Sequence, residues 1–84
     1  MNLVFSRESW EEYLYWQETD QQTLKRINQL IKDTVRNPHR DIGKPEPLRH
    51  ALQRYWSRRI TGEHRMVYRV VKGDLWIAQL RYHY

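Results

Sequence analysis

A chain of 84 residues with 30% charged and 13% aromatic side chains allows one globular domain with a small core, and excludes a disordered segment. No apolar run is long enough to span a membrane, and the opening Met1–Glu8 lacks a signal-peptide core. Cysteine is absent, which rules out disulfides and thiolate metal sites, so a cytoplasmic location with no membrane partner is expected. The net charge of +5 is lopsided: residues 1–42 carry −1 and residues 43–84 carry +6. A basic C-terminal half suits a polyanionic partner, most simply nucleic acid, although a solvated cationic surface gives the same count.

The pattern predicts an α+β domain over residues 1–84: one strand, two helices and a three-stranded meander. Asn2–Phe5 reads as a short first strand. Ser6 is a good N-cap, and Glu8, Glu11 and Glu12 place negative charge near a helix start. Trp10, Tyr13, Leu14 and Trp16 supply the apolar stripe of a helix over residues 7–18. Asp20 caps a second helix, in which Leu24, Ile27, Leu30, Ile31 and Thr34 or Val35 recur at helical spacing up to Arg36. Residues 37–47 hold three prolines and a glycine and read as a loop. Leu48–Leu52 is compatible with a short helical turn.

The chain then alternates as strands do. Tyr55–Thr61, His64–Val71 and Leu75–Tyr84 are separated by Gly-containing turns, the signal for an antiparallel meander. A three-residue turn at Lys72–Asp74 puts Met66, Tyr68 and Val70 on one face with Leu80, Ala78 and Trp76. That face is apolar and should receive both helices. The other face collects Arg59, Arg65, Arg69, Gln79, Arg81 and His83, a basic floor. Arg58 falls on the core side, which suggests a place near an edge.

No nucleotide-binding glycine loop, metal-ligand spacing or Ser-His-Asp arrangement is present, and the four histidines lack the spacing of a helical zinc site. No cofactor is expected. Glu46 sits between Pro45 and Pro47 on a stiff loop, where it fits either a general base or a solvated carboxylate. Arg65 offers an always-charged fork for phosphate oxygens, and equally fits an exposed strand arginine. His83 is a candidate proton donor to a leaving alkoxide, a role that suits histidine as a residue type, though a lone histidine is often structural. Glutamate, arginine and histidine together are sufficient to cleave RNA without metal, because RNA carries its own nucleophile in the 2′-OH.

The stretches Trp10–Asp20, Gly43–Leu48, Trp56–Thr61, Glu63–Arg65 and Arg81–Tyr84 resemble, along the whole chain, the YoeB-type toxins of the RelE/ParE superfamily of bacterial toxin–antitoxin systems. The resemblance implies a RelE-like fold similar to microbial ribonucleases. It implies a metal-independent, ribosome-dependent endoribonuclease that cuts mRNA in the A site of the 70S ribosome. It also implies a YefM-type antitoxin, with operator DNA bound only by the toxin–antitoxin complex as corepressor of its own operon, and it leaves a homodimer open. The family's general base falls on Glu46, its general acid on His83, its phosphate-stabilising arginine on Arg65 and its catalytic tyrosine on Tyr84. Supporting basic positions fall on Arg59 and Arg49. The family often has lysine at the latter, and an arginine changes the fork geometry. Lys44 and Arg81 are added as RNA-binding candidates from the basic floor. Two other classes remain: a ParE-like binder that inhibits gyrase, and a non-catalytic nucleic-acid-binding regulator.

Overall fold

The computed structural model describes residues 1–82. In chain order it forms β1 (Leu3–Phe5), α1 (Arg7–Thr19), α2 (Gln21–Arg36), β2 (Glu46–Pro47), β3 (Trp56–Arg59), β4 (Arg65–Val71) and β5 (Asp74–Gln79). A single 3-10 turn, His50–Leu52, lies between β2 and β3. The five-stranded sheet runs β1-β5-β4-β3-β2. β1 is parallel to β5 and every other pair is antiparallel. The fold is therefore α+β, with the expected order of elements.

Both helix starts follow from the expected caps. Ser6 accepts a hydrogen bond from Ser9 N–H and Asp20 accepts one from Thr23 N–H, each satisfying a donor that the first helical turn leaves free. α2 buries Ile27, Leu30, Ile31 and Thr34, with Leu24 and Val35 half-buried, as its spacing predicts. α1 turns differently. Its buried residues are Ser9 and Trp16, while Trp10 and Leu14 lie exposed. Ser9 can go inside because its hydroxyl donates to the Ile77 carbonyl of β5 at 2.7 Å. Trp16, Ile27, Leu30 and Ile31 meet Ile60, Met66, Tyr68, Leu75, Ile77 and Leu80 of the sheet in one core.

The β4–β5 hairpin corrects the expected register. Its turn has two residues, not three: Lys72 (φ +49°) and Gly73 (φ +81°) connect Val71 to its partner Asp74. Two successive left-handed residues suit the right-handed twist of the flanking strands. Leu75 and Ile77 consequently point inward and Trp76 outward, the reverse of the three-residue alignment. A bulge then restores the expected register, because Tyr68 faces Ile77 but Val67 faces Gln79. Met66 and Leu80 are thus both buried, as expected.

Two further expectations are corrected. Glu46–Pro47 is not loop but a two-residue edge strand opposite Ser57 and Trp56. Proline is tolerated there because an edge strand needs only half its hydrogen bonds. Arg58 lies at no exposed edge. It is wholly buried, and all five N–H donors of its guanidinium are taken. Nε donates to the Tyr68 hydroxyl at 3.2 Å. Nη1 donates to Asp33 at 2.6 Å and to the Ile42 carbonyl at 3.0 Å. Nη2 donates to the Asn37 and Arg40 carbonyls.

The guanidinium is therefore the internal scaffold of the 37–42 loop, and removing it strands a carboxylate and three carbonyls. Arg58→Ala is expected to destabilise the fold by about 3–5 kcal/mol, the cost of breaking a buried pair. Urea unfolding of both proteins measures it, and a loss no larger than that of an exposed arginine would refute the scaffold role.

Candidate active site

The outer face of the sheet holds the charged residues. Register places Glu46 of β2, Ser57 of β3 and Val67 of β4 in one row, with Arg59 and Arg65 opposite each other two residues along. Arg65 reaches diagonally past β3, and its Nη1 lies 3.3 Å from Glu46 Oε1. The Glu46 side chain is about half exposed, whereas Arg65 is largely covered. The Ser57 hydroxyl beneath them is buried and has no partner among the described residues.

The loop before Glu46 is held at two points. Arg58 grips its first half. Gly43 (φ +82°) then accepts a hydrogen bond on its carbonyl from Arg59 N–H at 2.8 Å. A Cβ at Gly43 would come within 2.8 Å of Leu30 and 3.0 Å of Arg58, so only glycine fits this approach to the core. Lys44, Pro45 and Glu46 leave this point toward the rim. Beyond Glu46, a shallow depression of about 570 Å³ is lined by Glu46, Pro47, Leu48, Arg49 and His50.

The expected site residues thus separate into three groups. Glu46 and Arg65 are paired, with Arg59 beside Arg65 and Lys44 and Arg49 exposed on either side of Glu46. Arg81 does not join the floor. Its guanidinium stacks 3.8 Å above the Tyr15 ring of α1, because the chain has left the sheet after Gln79 and turned toward the helix. Its expected place among the floor arginines is corrected accordingly. His83 and Tyr84 lie outside the described residues.

The approach to those two residues is well defined and uses side chains that the sequence reading did not single out. Leu80 is clamped by α1 from both sides: its N–H donates to Glu12 at 2.8 Å, and its carbonyl accepts from Trp16 Nε1 at 2.8 Å. Tyr82 is clamped next. Its carbonyl accepts from Arg65 N–H at 3.1 Å, and its N–H donates to His64 Nδ1 at 2.7 Å. The chain therefore reaches Tyr82 one hydrogen bond from the residue whose side chain pairs with Glu46. No cluster of three or more His, Asp or Glu side chains among the described residues could hold a metal ion. Nor is any helix among them long and apolar enough to cross a membrane.

Residues 5–84 match the family model described as a YoeB-like toxin of bacterial type II toxin–antitoxin systems. The chain belongs to this family. It is 61% identical to Toxin YoeB of Escherichia coli K12, over all of both chains. It superposes on the YoeB/ParE toxin from Agrobacterium tumefaciens with a TM-score of 0.97 and 49% identity, again over all of both chains. It also matches the toxin chain of a heterotetrameric YoeB–YefM toxin–antitoxin complex from Staphylococcus aureus, with a TM-score of 0.92 and 45% identity. That match covers all of this chain and 98% of the other.

One ionisable group of this YoeB-family toxin, the Glu12 carboxyl that holds Leu80, is displaced by its burial. Burial holds the Glu12 carboxyl above its ordinary value, partly opposed by the Leu80 amide. The folded chain then binds that proton more tightly than the unfolded chain. The stability contributed here is full below the ordinary carboxyl range and is lost as pH rises through the raised value. Glu12→Gln keeps an acceptor for Leu80 and removes the ionisation. It should melt at or above the parental temperature near pH 7 and at the parental temperature below about pH 4. Circular dichroism melts at both values test this, and a variant that melts lower at neutral pH would show that the charge helps the fold.

Proposed function

We propose that this toxin is a ribosome-dependent endoribonuclease that cuts mRNA in the A site and so halts translation. The observation that carries the reading is the Glu46–Arg65 pair, 3.3 Å apart on the exposed basic face of a YoeB-family toxin. A non-catalytic RNA binder has no use for a carboxylate at the centre of a phosphate-binding surface, since it would repel the backbone.

Incoming RNA phosphate competes with Glu46 for Arg65. The freed carboxylate takes the 2′-OH proton, and the oxygen attacks the adjacent phosphorus. Arg65 stabilises the charge that builds on the phosphorane. His83 protonates the departing 5′-oxygen, leaving a 2′,3′-cyclic phosphate, and Tyr84 assists at the same phosphate. Arg59, Lys44 and Arg49 hold flanking phosphates. Arg81, stacked on Tyr15, supports the tail in this scheme and leaves RNA contact to the others. No step calls for a metal ion. A domain of this size cannot order a long RNA alone, so the ribosome supplies much of the positioning.

The partner is an antitoxin of the YefM type, by analogy with the Staphylococcus aureus complex. Its acidic segment would cover the basic face and silence cutting, and the complex would repress its own operon. The setting is the bacterial cytoplasm.

Primer extension on programmed ribosomes should show strong, site-specific stops, with only weak cutting of free RNA. Equal cutting of both would remove ribosome dependence. Glu46→Gln should slow single-turnover cleavage by about 10²–10⁴, the usual contribution of a general base. A 2′-deoxy nucleotide on the 5′ side of the scissile bond should abolish cutting while leaving ribosome binding intact. A deoxy substrate cut at the normal rate would mean that water is the nucleophile.

A further inference from the structure

We propose that His64 is a positioning residue of this active site: its neutral imidazole holds the Tyr82 backbone, from which the chain continues to His83 and Tyr84, and protonating it releases that hold. The inference rests on the ribonuclease reading and adds to it a residue that touches neither RNA nor the reacting atoms.

The geometry at Tyr82 carries the argument. Tyr82 has φ +61°, a left-handed conformation that a bulky L-residue adopts only when its surroundings impose it. Two hydrogen bonds to its backbone impose it here, one from Arg65 at the start of β4 and one to His64 just before it. Arg65 N–H holds the Tyr82 carbonyl and His64 Nδ1 holds the Tyr82 N–H. Gln79 Nε2 adds a third contact to the Tyr82 carbonyl at 3.1 Å. Of these three, the amide contact to His64 alone is accepted by an imidazole nitrogen, whose lone pair a proton can occupy.

Accepting an N–H bond requires the Nδ1 lone pair, so the ring proton of neutral His64 sits on Nε2. Nε2 lies 3.6 Å from Glu63 Oε1. The ring is mostly covered, with Trp16 edge-on at 4.8 Å and the Tyr82 ring at 5.2 Å, so the imidazole has little freedom to turn. A second proton would go on Nδ1 and set two donors face to face across 2.7 Å. The contact would break, and Tyr82 would leave its left-handed well.

The charges around the ring come from each element packed on it. Glu63 lies on its own turn, Glu12 on α1 lies within range of its charge, and Arg81 lies beside Glu12 on the tail. Glu12 holds Leu80, so a carboxylate and a histidine secure neighbouring links of one segment.

The test uses the full-length wild-type chain, His64→Asn and His64→Leu. Asparagine offers an oxygen close to where Nδ1 stood and cannot be protonated. Leucine fills space without an acceptor. Two readouts are needed, amide exchange at Tyr82 by NMR without RNA and single-turnover cleavage on programmed ribosomes, each from about pH 5.5 to 7.5, the range in which imidazoles change charge.

His64→Asn should keep Tyr82 protected across the range and cut within about threefold of wild type near pH 7.5. The ratio of wild-type to His64→Asn rate should then fall by about fivefold or more toward pH 5.5, tracking loss of Tyr82 protection in the wild type. His64→Leu should expose the Tyr82 amide at every pH and cut about tenfold more slowly, with ribosome binding unchanged. Should His64→Leu fail to fold, the wild-type series against His64→Asn decides by the same criteria. A pH-independent ratio, or an exposed Tyr82 amide with parental cutting, overturns the inference and leaves the ribonuclease intact. A wild type that cuts no RNA at any pH while Tyr82 behaves as expected overturns the ribonuclease reading instead, and His64 with it.

Discussion

The buried guanidinium of Arg58 is the constraint on which the rest of the structure depends. β3 must send Ser57 and Arg59 to the outer face, beside Glu46 and Arg65, so alternation drives Arg58 into the core. An unpaired charge there would cost many times the stability of a small domain. The chain answers by wrapping its least regular segment around the charge. Asp33 arrives from the end of α2, three carbonyls from residues 37–42, and a hydroxyl from Tyr68. The loop is ordered by an internal cation more than by apolar contacts of its own. That same loop continues through Gly43 to Glu46, so the position of the proposed base is set from inside the protein.

This account explains why residues 37–47 look unstructured in sequence. Proline, glycine and polar residues signal an absence of helix or long strand, and that much is correct. What satisfies the loop's carbonyls is a side chain some twenty positions away, on a strand where arginine looks misplaced. Local propensity carries no trace of it. The one available clue was the misfit itself, a charged residue on the apolar face of an otherwise consistent strand. Such a residue can be moved to an edge or given partners, and the choice depends on tertiary contacts.

The hairpin shows a different limit. Alternation in β4 and β5 makes both strands legible, but the turn decides which residues share a face. Lys72-Gly73-Asp74 fits a two- or a three-residue connection, and the two differ by one residue of register. The bulge at the far end means that each alignment is right for half the hairpin: Met66 and Leu80 go inside under one, Leu75 and Ile77 under the other. Trp76 is thereby released to the outer face. In α1 the expected stripe was displaced for a related reason. Ser9 is buried because a carbonyl of β5 needs its hydroxyl, and hydrophobic spacing cannot anticipate that demand.

The charged floor was legible to the extent that it depends on strand alternation alone. Arg59 and Arg65 lie together as their parity requires, Glu46 joins them through an edge strand that reads as loop in the sequence, and Arg81 escapes because it follows the end of β5. Past that point, the described path of the chain is set by polar side chains of α1, by His64 just before β4 and by the Arg65 N–H of β4, all acting on backbone groups. These contacts are single hydrogen bonds, each worth about 1 kcal/mol net, so none dominates the stability of the fold. Their effect is geometric. Glu12 and Trp16 hold one peptide unit, His64 and Arg65 the next but one, and the chain between them has no room to slip. In the proposed reaction a base on a loop, an arginine on a strand and an acid on the tail can act on one phosphate only if all three arrive within a few tenths of an ångström. In so small a domain, the holds that bear on that demand among the described residues are made on the backbone, at Gly43 ahead of Glu46 and at Leu80 and Tyr82 on the way to the tail.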